Sequence, residues 1–352
     1  MCAQCYDVAM LSMRRIGALF VGTCAAICTF PAIAMAHTRW FAEGTLQPYV
    51  TMEPTGLYLL AWAVITTIIV SIGIYLERNT ILRLEWIKPR LAHSFDRAAG
   101  TFSMVAGAFF VVAGTHEYLF SPNMEHALGV PSYFIIAQVF IGLAFLVGAY
   151  ARVAALALIA LWALSIAWFG WLPMVENLWV VGTGLFILIM GNDYFSVLNV
   201  RLLKKYTQHY HAYALPLLRV CTGATLLVLG FSEKIVHPEF GINFLAQYHW
   251  NFMQLLGFAG YSDYLFTLSA GSVEALLGVV FILGIMTRLN ALVVATFFTI
   301  PLFILGPIEL AGHLPHFAAV VMLLLFGSGD KFVLIPRVHR IAAHTRPGAH
   351  RR

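Results

Sequence analysis

Glu274 lies in a long apolar stretch, about ten residues in, which the 1.5 Å helical rise places near the middle of a bilayer. A carboxylate there costs roughly 2.5–3.5 kcal/mol or more to insert, so it must be protonated or paired. Desolvation raises its proton affinity and a nearby cation lowers it again. Arg219 and Lys234, near opposite ends of the preceding apolar stretch, are the candidate cations. Two readings follow: an ion bridge tying two helices together, or a group that exchanges protons inside the membrane. Glu233 adjoins Lys234, and both stand with His237 where that stretch ends. Glu274, Lys234 and Glu233 are therefore the candidate catalytic residues, and Arg219, Glu274 and His313 the candidates for holding a cofactor.

Histidines suggest a second chemistry. His313 and His316 are three residues apart at the start of the last apolar stretch and so share one helical face. With a carboxylate nearby they could hold copper or zinc. His37 would join them if a leader ends at Ala36, because a terminal amine with an imidazole suits copper. The plainer alternative for all of these is polar residues at helix ends that satisfy local hydrogen bonds.

The elements that carry these groups are unusually apolar, for 61% of the 352 residues are hydrophobic and 11% are charged. A soluble domain carries about 25% charged residues. Mean hydropathy is +0.83, and the composition places the chain among membrane proteins. The expected fold is an all-α polytopic transmembrane bundle. Nine apolar stretches approach the length needed to cross a ~30 Å hydrocarbon core: 57–76, 98–116, 132–150, 153–171, 177–191, 214–232, 264–285, 290–306 and 315–327. The fifth and ninth are short and need extension at their ends.

Upstream, Met13-Arg14-Arg15, an apolar run from Ile16 to Ile33 and Ala34-Met35-Ala36 form the layout of a secretory signal. Cleavage after Ala36 is the favoured expectation and an uncleaved anchor the alternative. Translation is expected to start at Met10 or Met13. Cys2, Cys5, Cys24 and Cys28 precede the expected mature start at His37, leaving Cys221 alone in the mature chain with no disulfide partner.

Basic residues set the orientation. Arg78, Arg83, Lys88, Arg90 and Arg97 share one loop. Arg152, Arg201, Lys204, Lys205, Arg288, Lys331 and the tail arginines fall on the same side, against only Arg39 and Lys234 on the other. The positive-inside rule then puts the mature N-terminus in the periplasm and the C-terminus in the cytoplasm of a bacterial inner membrane. The net charge of +5 is thus a topology signal, not a sign of nucleic acid as a partner. Periplasmic histidines would be His37, His116, His126, His237, His249, His313 and His316.

Two parts of the chain align. Gly107, Ala108, Gly114, Glu117 and Pro122 recur as Gly223, Ala224, Gly230, Glu233 and Pro238. Gly142, Phe145, Gly148, Arg152, Ala155 and Leu156 recur as Gly278, Phe281, Gly284, Arg288, Ala291 and Leu292, and Asp193 and Phe195 as Asp330 and Phe332. Glu176 falls opposite His313. About twenty extra residues separate the first two blocks in the second copy. The expected organisation is a signal at 1–36, an extra span and basic loop within 37–94, four-helix repeats at 95–198 and 212–335 joined by 199–211, and a basic tail at 336–352. Four spans per unit make the repeats parallel, related by an axis along the membrane normal.

Within the second repeat, Leu218-Arg219, Gly223, Gly230-Phe-Ser-Glu-Lys234, Gly271-Ser-Val-Glu274, Gly278, Gly284 and Thr287-Arg288 resemble the DoxX/DoxD family of four-helix membrane proteins. The resemblance covers about 212–335 well and 95–198 more weakly. It implies redox-linked membrane function, since the best-described members are small subunits of a thiosulfate:quinone oxidoreductase. The first repeat departs from the pattern, with Tyr118 in place of Lys234 and Gln138 in place of Glu274, so a single centre would belong to the second.

No phosphate-binding glycine loop, nucleophile elbow or iron–sulfur cysteine set is present. Three functions remain. The leading one is a subunit supporting periplasmic redox chemistry, by contacting quinone or by anchoring a periplasmic or membrane redox partner. The alternatives are a periplasm-facing copper or zinc protein and a small-solute permease. In the first case Glu274, Lys234 and His313 would supply the polar groups, and Tyr248, Trp250 and Phe252 would lie at the membrane interface.

Overall fold

A computed structural model describes residues 55–122, 124, 129–196, 203–306 and 308–336. The signal segment, His37, His126 and the basic tail lie outside the described residues. Among the described residues all regular structure is helical. The main helices are α1 (Thr55–Arg78), α2 (Ser94–Thr115), α3 (Ser132–Val147), α4 (Ala151–Phe169), α5 (Leu178–Met190), α6 (His211–Gly230), α7 (Pro238–Tyr248), α8 (Asp263–Leu283), α9 (Thr287–Leu305) and α10 (Ile308–Phe326).

Five helical stretches are long and apolar enough to cross a membrane: Thr55–Arg78, Ser94–Thr115, Ala151–Phe169, Lys204–Ile235 and Asp263–Leu283. Four further apolar helices, at Ser132–Val147, Leu178–Met190, Thr287–Phe303 and Gly312–Phe326, are shorter. Every expected stretch is therefore helical, while the full spanning length belongs to five of them. The ninth stretch extends back to Ile308. The fifth is instead preceded by a separate helical segment, Trp171–Glu176, broken from α5 at Asn177. Outward-facing side chains such as Leu60, Ile68, Phe140, Leu164 and Phe303 are exposed apolar groups, as a lipid-facing surface requires. The chain is a membrane-type α-helical bundle.

Close backbone approach organises the packing. A Cβ added at Gly107 would meet Gly142 O at 2.6 Å, and one at Gly223 would meet Gly278 O at 2.7 Å. Only glycine lets α2 cross α3, and α6 cross α8, at that separation. Both partner helices then stop at a left-handed glycine, Gly148 (φ 71) or Gly284 (φ 67), and the chain restarts through left-handed Tyr150 or Met286.

Between the two four-helix sets, α5 packs on α6 and α10 packs on α2. The last helix of each set thus rests on the first helix of the other. The shared core runs through Phe102, Phe109, Phe110, Trp179 and Phe186. Ring pairs such as Phe109–Trp179, edge-on at 5.4 Å, lock its centre. Helix α1 sits outside, held to α8 and α9 at both ends. Thr55 bonds Tyr264 at 2.7 Å, Tyr58 bonds Ser269 at 2.6 Å, and Glu77 accepts the Met286 N–H at 3.0 Å.

Candidate functional site

The glycine crossings decide what can stand between α6 and α8. Thr267, Gly271, Glu274 and Gly278 follow at intervals of four, three and four, so they line one face of α8. A second close approach lies above the Gly223–Gly278 crossing, where a Cβ on Gly271 would meet Gly230 O at 2.7 Å and Lys234 Cβ at 2.7 Å. Lys234 can start so near α8 only because residue 271 lacks a side chain.

Past Gly230, α6 does not end. It widens into a π-helical turn, Phe231–Ile235. Such a turn adds a residue per loop of helix and re-aims side chains, and it is common at functional sites. Here it buries Glu233 completely (0% exposed) and sends Lys234 across to α8. Lys234 Nζ reaches Glu274 Oε2 at 2.6 Å, with 17% and 19% of the two side chains exposed. Glu233 adds a second negative charge that acts on Lys234. The three groups sum to one net negative charge when all are ionised. A single proton passed from Lys234 to Glu274 would convert the ion pair into a neutral pair with little movement, at 2.6 Å.

The aligned position in the first set is filled differently. Gln138, fully buried, accepts from Phe120 N–H at 2.8 Å through Oε1 and donates through Nε2 to Tyr118 O at 3.1 Å and Phe110 O at 3.4 Å. It grips the backbone of the residue aligned with Lys234. Tyr118 is itself 2% exposed, and burial pushes its phenol well above the usual range. This half holds neutral groups at the positions aligned with Lys234 and Glu274.

Arg219 does not join Glu274. It is 0% exposed near the middle of α6, fifteen residues or about 22 Å from Lys234 along the helix. Its guanidinium donates to Phe281 O (2.5 Å), Ile282 O (3.2 Å), Lys331 O (3.2 Å) and Phe332 O (2.7 Å). Those carbonyls include the open end of α8, so Arg219 caps a helix and holds the chain that follows α10. The expectation that it serves Glu274 or a cofactor gives way to this structural role.

His313 and His316 are brought together, with ring centroids 5.9 Å apart, and both are buried. Their ring neighbours are Phe298, 5.2 Å from His313, and Trp179, 5.0 Å from His316. The pair thus lines the junction between α9, α10 and α5. Among the described residues, no three His, Cys, Asp or Glu side chains are gathered as a metal ion would need. His37, the third expected ligand, lies outside the described residues. His237 instead pairs with Glu239 at 3.0 Å in an exposed position, and His116 and His249 end α2 and α7.

Two features escaped the sequence reading. Glu77 is a buried carboxylate (5% exposed) that caps α9 and pairs with Arg83 at 3.1 Å. A glutamate in the last turn of a span, just before a basic loop, was its only signal. Tyr58, Tyr261 and Ser269 gather their three hydroxyls, with Tyr58 O–H 2.5 Å from that of Tyr261, and Ser269 bonded to both tyrosines. Burial pushes the Tyr261 phenol up to about 12. Spacing along the chain says nothing of that cluster, because it joins residues over two hundred positions apart.

No family model matches this chain, and neither a curated protein nor a solved structure shows significant similarity to it.

Proposed function

We propose that this chain is a multi-pass subunit of the bacterial inner membrane that supports periplasmic redox chemistry, with Lys234, Glu274 and Glu233 as its proton-exchanging centre. The observation that carries the reading is the 2.6 Å Lys234–Glu274 pair, set among apolar helices and still partly exposed. A membrane quinone fits the donor set. Lys234 would donate to a ring oxygen, Glu274 would hold or release the proton that accompanies electron transfer, and Glu233 would balance the charge of Lys234. The quinone itself supplies the electron chemistry.

Orientation supports the same face. Arg83, Arg97, Arg152, Lys204, Arg288 and Lys331 lie at helix ends and loops away from Lys234, and under the positive-inside rule Lys234 would face the periplasm. The resemblance of the 218–288 signature to DoxX/DoxD proteins agrees with redox work, and an anchored redox partner would meet that same face.

Titration of a short-chain quinone into purified protein in nanodiscs is the direct test. Binding should be seen for the wild type and lost in Glu274→Gln and in Lys234→Ala. Absence of binding, or binding unchanged in both variants, overturns the quinone reading.

A further inference from the structure

The same ion pair raises the question of the direction from which a ligand would come. Glu274 is eleven residues below the start of α8 at Asp263, about 16 Å along its axis. Its helix face is closed against neighbours at three levels. Highest is Thr267, covered by Gly241 of α7. Next is Gly271, seated on Gly230, and lowest is Gly278, seated on Gly223. Glu274 stands between the lower two contacts, where backbones touch and leave no room for a carboxylate. Its side chain must leave the seam along the flank, and Lys234 meets it there. Helix α7 packs on both α8 and the π turn, so the direction of the helix ends is covered as well. Lys234 and Glu274 keep 17% and 19% of their side chains exposed, and with the seam and the helix-end direction covered, the flank is the side left for that exposure. Phe231, three residues before Lys234 in the same π turn, is 49% exposed and apolar.

We infer that the Lys234–Glu274 pair is reached laterally from the lipid phase, beneath α7. Its ligand is then a membrane-dissolved molecule with an apolar tail and a hydrogen-bonding carbonyl or hydroxyl head. A water-borne solute entering along the helix axes does not fit. The inference rests on taking this pair as the working site, as proposed above, but the route stands apart from the identity of the ligand.

Carbodiimides of two solubilities read the route directly. The carboxylic acid of Glu274 adds across a C=N bond of the reagent to give an O-acylisourea. The neutral Lys234 amine at 2.6 Å then displaces the urea and forms an amide, so the protein becomes lighter by one water, which leaves within the urea. Wild-type protein in nanodiscs is treated with dicyclohexylcarbodiimide or with a charged, water-soluble carbodiimide, and the Lys234–Glu274 link is followed by peptide mass spectrometry. Asp96, 53% exposed, reports that the water-soluble reagent is active. The expected result is a link formed several-fold faster by the lipid-soluble reagent, with the water-soluble one modifying exposed carboxylates such as Asp96 and leaving the pair unlinked. Equal or faster linking by the water-soluble reagent overturns the lateral route, and so does an absence of linking by both. A parallel arm adds the short-chain quinone first. Protection of the link supports both readings. Lateral linking without protection keeps the route and sinks the quinone.

Discussion

The α2–α3 and α6–α8 pairs are built on one crossing and put opposite chemistry beside it. Gly107 meets Gly142 as Gly223 meets Gly278, at backbone distance in both. About three turns further on they diverge. In the first pair the helix stops, Glu117 turns outward in a left-handed conformation (φ 60), and Tyr118 goes inside. In the second a π turn continues the helix, Glu233 goes inside, and Lys234 crosses to α8. A neutral amide gripping main chain thus corresponds to a charged pair gripping side chain. The difference teaches that a repeated helix crossing fixes where two positions meet. The backbone beyond the crossing decides which residue fills the meeting point.

The other ends of the same helices differ in a similar way. The carbonyls of Phe145 and Phe281 occupy aligned places after the two crossings. Phe145 O receives Ser103 Oγ at 3.4 Å and Asn192 Nδ2 at 3.0 Å, whereas Phe281 O receives the buried Arg219. Arg219→Ala is predicted to have the largest effect of any change considered. It removes four bonds from a charged donor, each of which contributes about 1.5–3 kcal/mol before non-additivity. Loss of the folded bundle, or destabilisation of more than about 3 kcal/mol, is expected in thermal unfolding. Ser103→Ala should cost only about 1 kcal/mol. Equal effects at the two positions would break the comparison.

The second prediction converts one centre into the other. Lys234→Ala leaves Glu274 unpaired. Removing one partner of a fully buried pair costs about 3–5 kcal/mol, and the partial exposure here reduces this to about 1–3 kcal/mol. Lys234→Tyr with Glu274→Gln installs the residues of the first pair. The double variant should be more stable than the two single changes summed, by a coupling of about 0.5–3 kcal/mol in a double-mutant cycle. It should also bind no quinone. Strict additivity would show that the pair does not act as a unit.

The smallest effect concerns the basic end. Arg152 holds Asp193 at 2.8 Å and Lys204 holds it at 2.7 Å, while the aligned Arg288 donates instead to Arg83 O at 3.3 Å. Burial pushes the Asp193 carboxyl up, but the two cations outweigh it and keep it below its usual 3.8. A carboxyl whose folded value is depressed stabilises the protein above its unfolded value, and that contribution is lost as pH falls through the folded one. Asp193→Asn should therefore lower stability at neutral pH by about 1 kcal/mol or less. The gap to wild type should close as pH drops below the usual carboxylate range, as thermal unfolding across pH would show. A gap that widened in acid would reverse the assignment of Arg152 and Lys204 as the dominant influence.

Much of the architecture was legible beforehand, for reasons particular residues make plain. Lipid demands that backbone polar groups be satisfied within each span, so apolar runs such as 57–76 and 264–285 had to be helices. Glycines aligned at 107 and 223, and at 142 and 278, pointed to close helix contact because a missing side chain is useful only there. Glu274 announced a partner because an isolated carboxylate at that depth is costly. Arg219 and Lys234 looked equally available for the part, since both lie on one helix. Their separation of about 22 Å along the axis matters only once α8 is placed beside it.

Residue types and their order alone determined that this is an all-helical membrane-type bundle and that Glu274 must be protonated or paired. These follow from solvation and local geometry, which every residue meets wherever the chain goes. Tertiary structure alone decided that Lys234 is the partner and Arg219 a helix cap, that Glu233 turns inward while Glu117 turns out, and that Glu77 crosses to α9. Each of those depends on which carbonyl, cation or N–H stands opposite across a helix contact. Such contacts bring together residues 40 to 209 positions apart, a distance over which local sequence rules carry no information.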